Sequence, residues 1–107
     1  MEPRIWDLTW AQGDTASSTV FVGADSLTGL DLPAAIDGTT LAVQAALTAG
    51  GTFKPLYDST GAAVTVGVVA GARVALLPDA IRGQLYIRFV SDASQSAARA
   101  ASLVGYR

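Results

Sequence analysis

The chain has 107 residues, of which 50% are hydrophobic and only 15% charged; its formal net charge is −2, and it contains neither histidine nor cysteine. Without imidazole or thiol there is no Ser-His-Asp or Cys-His catalysis, no His- or Cys-based metal site and no disulfide. Seven Lys plus Arg are too few for the clustered cations that phosphate contacts need, which argues against a nucleic-acid partner.

A chain of this length buries roughly 65% of its extended surface on folding, enough for one core, so residues 1–107 are expected to form a single domain. The N-terminus lacks the apolar core of a signal peptide, and no window approaches ~18 uninterrupted apolar residues. Neither export by that route nor a membrane span is expected.

Apolar residues alternate with polar ones along the chain, with turn residues recurring about every ten positions, the pattern of an antiparallel sandwich or barrel. Trp6, Leu8 and Trp10 share one face of a strand over 5–11. After the turn Gln12-Gly13-Asp14-Thr15, Val20 and Val22 alternate with Thr19 and Phe21 over 18–23. Residues 25–39 carry Gly, Pro and three Asp without sustained periodicity. They read as a connection, with one helical turn at Pro33–Ile36.

Leu41, Val43, Ala45 and Leu47 form the next strand, ended by Gly50-Gly51. Residues 53–58 follow as a short strand that Pro55 and Lys54 assign to an edge. Val64, Val66 and Val68 then share a face, as do Val74 and Leu76 over 73–77. Residues 78–83 allow a single helical turn. Leu85, Ile87 and Phe89 point inward with Tyr86 and Arg88 opposite, and a strand over 98–106 closes the domain. The expected fold is thus all-β, a single antiparallel β-sandwich of about eight strands; that number favours a jelly roll, although alternation does not exclude a meander.

Several residues stand out as candidates for chemistry. Asp31 and Asp37 flank Pro33, but nothing spaces them as a catalytic pair, and Asp25, Asp31 and Asp37 lack the DxDxDG spacing of a calcium loop. These aspartates read as turn residues, with no metal site and no cofactor expected, and the chain is predicted not to be an enzyme. Trp6 and Trp10, so near a terminus, read as core or as a subunit contact, which makes residues 1–10 a candidate docking arm or exchanged strand whose deletion should leave a folded core. Tyr86 and Arg88, sharing the face opposite the core, are the candidate glycan-binding pair. Six arginines against one lysine fit a protein interface, because the guanidinium fork pairs bidentately and is weakly hydrated; Arg99 and Arg107 are the candidate partner contacts.

The stretch Leu30-Asp31-Leu32-Pro33-Ala34-Ala35, Gly38-Thr39-Thr40-Leu41-Ala42-Val43-Gln44, Gly51-Thr52-Phe53-Lys54-Pro55-Leu56-Tyr57-Asp58 and Gly61, with the ending Leu77-Pro78, Gly83, Tyr86-Ile87-Arg88, Ser91 and Arg99, resembles small β-sandwich virion proteins of tailed bacteriophages and phage-like particles. The resemblance spans residues 18–107. It implies capsid decoration, a head-spike or head-fibre base, or a tail or baseplate component. The expectation is therefore a non-enzymatic virion structural protein, synthesised in the bacterial cytoplasm and assembling as a homo-oligomer on the particle, most readily at the capsid surface. Its partners would be the major capsid protein or a spike, fibre or tail protein. The alternative is a carbohydrate-binding β-sandwich module that recognises a host glycan.

Overall fold

The alternating pattern resolves into two antiparallel sheets whose apolar faces meet. The computed structural model describes residues 2–23, 25–76, 81 and 83–107. Among these, nine strands are formed: β1 (Pro3–Trp10), β2 (Val20–Gly23), β3 (Ser26–Asp31), β4 (Thr40–Ala46), β5 (Lys54–Pro55), β6 (Thr65–Gly67), β7 (Arg73–Ala75), β8 (Leu85–Ser91) and β9 (Arg99–Tyr106). One sheet runs β1-β9-β3-β7; the other runs β2-β8-β4-β5, with β6 also paired to β4.

The first strand pairs with the last, the second with the penultimate, β3 with β7, and β4 with β5 and β6. The chain is therefore one long hairpin rolled up so that its two arms alternate between sheets. This is the jelly roll, a double-sheet solution that covers most strand edges.

One apolar cluster fills the space between the sheets. From the four-stranded sheet it takes Leu8, Trp10, Leu27, Leu30, Ala101 and Leu103, and from the other Val20, Val22, Leu41, Val43, Val66, Ile87 and Phe89. Each large side chain so buried contributes roughly 1.5–3 kcal/mol. The core strands expected from alternation are all present, and the two-residue β5 lies at the sheet edge, as Pro55 and Lys54 require.

Four expectations are corrected. Leu47 does not share the inward face of β4: the strand ends at Ala46, and Leu47 beyond it is 82% exposed. Residues 26–31 form β3, a strand flanked on both sides, and not a connection. A register shift between Leu27 and Gly29 inserts a bulge, so Leu27 and Leu30, three apart, both point inward at 0% exposure. The bulge removes the period of two by which a strand is read. Residues 33–36 form a turn and no helix; there the Pro33 carbonyl accepts the Gly71 N–H at 3.0 Å. Leu85 does not join Ile87 and Phe89 in the core. Its φ of 67° and the register shift opposite Phe21 and Gly23 twist it outward, leaving it 36% exposed. Most of the helical turn expected over 78–83 lies outside the described residues, although Ile81 belongs to the core.

At one end of the sandwich the loop after β3 is fastened to the loop after β8. The buried Gln95 amide accepts the Asp37 N–H and donates to the Asp37 carbonyl, both at 3.0 Å. The Ser91 hydroxyl donates to the same carbonyl at 2.9 Å. The Asp92 carboxylate accepts the Thr39 N–H at 2.8 Å and its hydroxyl at 2.7 Å. The two loops thus satisfy much of each other's buried polar surface, while the Nε of Arg99 beside them is buried without a hydrogen-bond partner.

Candidate functional site

Residues on β8 alternate between core and solvent, so burial of Ile87 and Phe89 sends Tyr86 and Arg88 to the outer face of the five-stranded sheet. Register then selects their neighbours. Phe21 of β2 stands opposite Tyr86, and Gln44 of β4 stands opposite Arg88. Phe21 is 56% exposed, with its ring 4.9 Å from that of Tyr86 and tilted by 51°. Arg88 reaches over β4. Its Nε donates to Gln44 Oε1 at 2.7 Å, and its guanidinium carbon sits 4.3 Å from the Phe53 ring centroid. The result is a strip along the outer face, Phe21–Tyr86–Arg88–Phe53, made of one aromatic pair and one guanidinium laid against a ring. Such cation–π packing contributes roughly 0.5–2 kcal/mol and fixes the plane of the group.

The other arginines are differently employed. Arg4 and Arg107 lie 3.5 and 3.7 Å from the Asp25 carboxylate, Arg73 forms a bidentate pair with Asp31, and Arg99 lies 3.7 Å from Asp37. Among the described residues Arg88 is the arginine with no carboxylate. This accounts for much of the preference for arginine over lysine inside the chain itself, because forked donors bridge strands and loops.

Trp10 is a core residue, 1% exposed, whose indole N–H donates to the Thr15 carbonyl at 3.1 Å. Trp6 is half-buried at the open side where β1 and β2 meet. Its N–H donates to the Phe21 carbonyl at 3.0 Å, and Arg4 lies over its ring, 5.5 Å from the centroid. Arg99 is held by Asp37 and Ser96, while Arg107 is exposed at the C-terminus beside Asp25. The segment considered as a docking arm or exchanged strand is β1, paired with β9 of the same chain from Pro3↔Tyr106 to Trp10↔Arg99. Of the six residues singled out from sequence, Tyr86 and Arg88 share the outer face of the five-stranded sheet, both half-buried. Phe21, Phe53 and Gln44 complete that face. Phe21 was legible as the outward residue between Val20 and Val22; Phe53 and Gln44 join only through cross-strand register.

The aspartates work as structural acceptors. The Arg73 guanidinium holds Asp31 below the ordinary carboxylate range, the Ser96 backbone N–H does so for Asp37, and the hydroxyls of Thr60 and Thr39 do so for Asp58 and Asp92. Asp25, just before β3, and Asp31, at its end, are held apart on different arginines, Arg4 and Arg107 for the first and Arg73 for the second. Asp31 was expected to be a turn residue but is instead the cross-strand partner of Arg73. Among the described residues, no group of three or more acidic side chains is placed to hold a metal ion.

Three cavities border the sheets, none of them lined by Phe21, Phe53, Tyr86 or Arg88. One of about 310 Å³ opens between the sheets beside Val66 and Val74, and an apolar groove of about 500 Å³ follows the β4–β5 connection past Leu47 and Leu56. A shallow depression of about 410 Å³ crosses the outer face of the four-stranded sheet past Asp7 and Ser102.

Fold and site thus define a jelly-roll β-sandwich with an aromatic and arginine-bearing sheet face. No protein-family model and no curated protein matches the chain. Among solved structures it is similar to the crystal structure of the SPBc2 prophage-derived protein YomS, with a TM-score of 0.60 and 11% identity, over 100% of this chain and 96% of that one. At that identity the likeness concerns the fold.

Proposed function

We propose that this chain is a non-enzymatic structural protein of a bacteriophage virion that assembles as a homo-oligomer on the particle, at the capsid surface, and docks through the outer face of its five-stranded sheet. The observation that carries this reading is the outer-face strip of Phe21, Tyr86, Arg88 and Phe53, in which Phe21 is exposed and the other three are half-buried. Aromatic residues and arginine are the types enriched at protein interfaces, and this strip presents them together without a cleft. A jelly roll similar to that of a prophage-derived protein supports the phage assignment, and the low surface charge supports a chain that gains solubility and stability by assembly. A tail or baseplate position would use the same face.

Purified protein should bind empty particles of the encoding phage saturably, and the double variant Phe21→Ala, Tyr86→Ala should weaken that binding by roughly a hundredfold, the range of an interface hot spot. Absence of saturable binding by the native chain to heads or tails would defeat this reading. The second reading, a glycan-binding module, draws on the Arg88 and Gln44 polar groups set beside aromatic rings. Binding on a glycan array that is lost in Tyr86→Ala or Arg88→Ala would favour it.

A further inference from the structure

We infer that the strip reads a carboxylate: Arg88 offers its terminal Nη groups to an Asp or Glu side chain of a protein partner, while Phe21 and Tyr86 cover the apolar residue next to that acid. The inference rests on the docking face proposed above and specifies what that face recognises.

Charge complementarity comes first. Arg4, Arg73, Arg99 and Arg107 are each matched by an aspartate of this chain, whereas Arg88 has no carboxylate among the described residues. Most of the chain's own acids are already engaged. Asp25, Asp31 and Asp37 hold arginines, Asp58 accepts hydrogen bonds from its own loop, and Asp92 accepts them from Thr39 in the loop after β3. The outer face around Arg88 contributes Phe21, Tyr86, Val90, Ala42 and Gln44, none of them acidic, so it presents a local positive charge on a protein of net charge −2.

Preorganisation comes second. The guanidinium Nε is tied to Gln44 and the plane rests on Phe53, so the group is already oriented and desolvated on one side while the Nη edge stays unused by described residues. A fork held this way loses little entropy when it meets a carboxylate bidentately.

Shape selects the class of partner. None of the three cavities described above is lined by Phe21, Phe53, Tyr86 or Arg88, and the Phe21 and Tyr86 rings are inclined at 51° to each other, so they do not form one coplanar platform. An open face with a central charge and an aromatic flank fits a protruding acidic side chain on another protein.

The test uses two blocked peptides, acetyl-Leu-Glu-Leu-amide and acetyl-Leu-Gln-Leu-amide, titrated into the full ¹⁵N-labelled chain and followed by NMR. The glutamate peptide should shift the Arg88 Nε–H and the Phe21 and Tyr86 amides and bind roughly tenfold more tightly than the glutamine peptide, the worth of one charge-assisted hydrogen bond. Arg88→Gln should abolish the difference and Arg88→Lys restore part of it, with the melting temperature of each variant confirming that it folds. Equal shifts with both peptides, or shifts located elsewhere, would overturn the inference. Binding by Arg88→Gln to empty particles with native affinity would also overturn it while leaving the virion role intact. Failure of the native chain to bind particles would instead remove the virion role, with the peptide result still deciding the carboxylate. Selective binding of acidic sugars in place of the glutamate peptide would reassign Arg88 to a glycan.

Discussion

Gly38 shows how tightly single positions are held. Its φ of 103° lies in the left-handed region, and a Cβ there would collide with Ser91 Oγ and Asp92 Oδ1. Both atoms are committed, Ser91 to the Asp37 carbonyl and Asp92 to Thr39, so neither can withdraw without losing a hydrogen bond. Gly38→Ala should therefore cost about 2–4 kcal/mol, lowering Tm by roughly 10 °C or more. A thermal melt that superimposes on the native one would refute this account of the loop clasp. Arg88 illustrates what sequence offers at this scale. Its outward direction follows from the parity of Ile87 and Phe89, but its contacts with Gln44 and Phe53 do not, because those residues are far away in the chain and arrive through pairing.

Among the elements, β1 is a core strand at one edge of the four-stranded sheet. Leu8 and Trp10 are almost fully buried, and the strand is paired along its length with β9. Removing residues 1–10 would take away those two side chains, at roughly 1.5–3 kcal/mol each, and would expose the edge of β9, against a total stability of about 5–15 kcal/mol for a domain. Residues 11–107 produced alone should show no cooperative melt and a collapsed amide spectrum; a sharp transition in that fragment would restore the removable arm. The outer edge of β1 is also guarded. Pro3 has no N–H to offer, and Ser18 takes both backbone groups of Thr9, its N–H donating to the Thr9 carbonyl at 2.8 Å and its Oγ accepting the Thr9 N–H at 3.1 Å. Glu2 exchanges hydrogen bonds with Arg107, so the antiparallel alternation leaves the Pro3 carbonyl and the outward groups of Ile5 and Asp7 open. Asp7 places a charge at that gap, a common defence against sheet extension.

For the molecule as a whole, the absence of histidine makes a statement about pH. No side chain with an ordinary pKa between 5 and 8 is present, so stability should be flat across that interval. Asp31, Asp37, Asp58 and Asp92 have native pKa values lowered from 3.8 by their hydrogen bonds and ion pairs. Their stabilisation is complete above the unfolded value and is lost as pH falls through the lower native ones. The urea midpoint should hold from pH 8 to about 5 and decline below about 4, and the combined variant Asp37→Asn, Asp92→Asn should be less stable at neutral pH and decline less. A midpoint that drops between pH 7 and 6 would contradict this assignment.

Composition and alternation alone were enough to determine an all-β chain without imidazole or thiol chemistry, the inward set Leu41, Val43, Val66, Ile87 and Phe89, and the outward pair Tyr86 and Arg88. Side-chain parity is a local property of a strand, so it is written in neighbouring residues. The bulge that hides β3, the closing of β1 on β9, and the meeting of Phe21, Arg88, Gln44 and Phe53 on one face are not local. Register between strands distant in sequence depends on how two sheets share one core, and only the tertiary structure decided it. The excess of apolar over charged residues divides the same way: most of it fills the sandwich, and part of the remainder lies on an outer sheet face around Arg88, which among the described residues has no carboxylate partner.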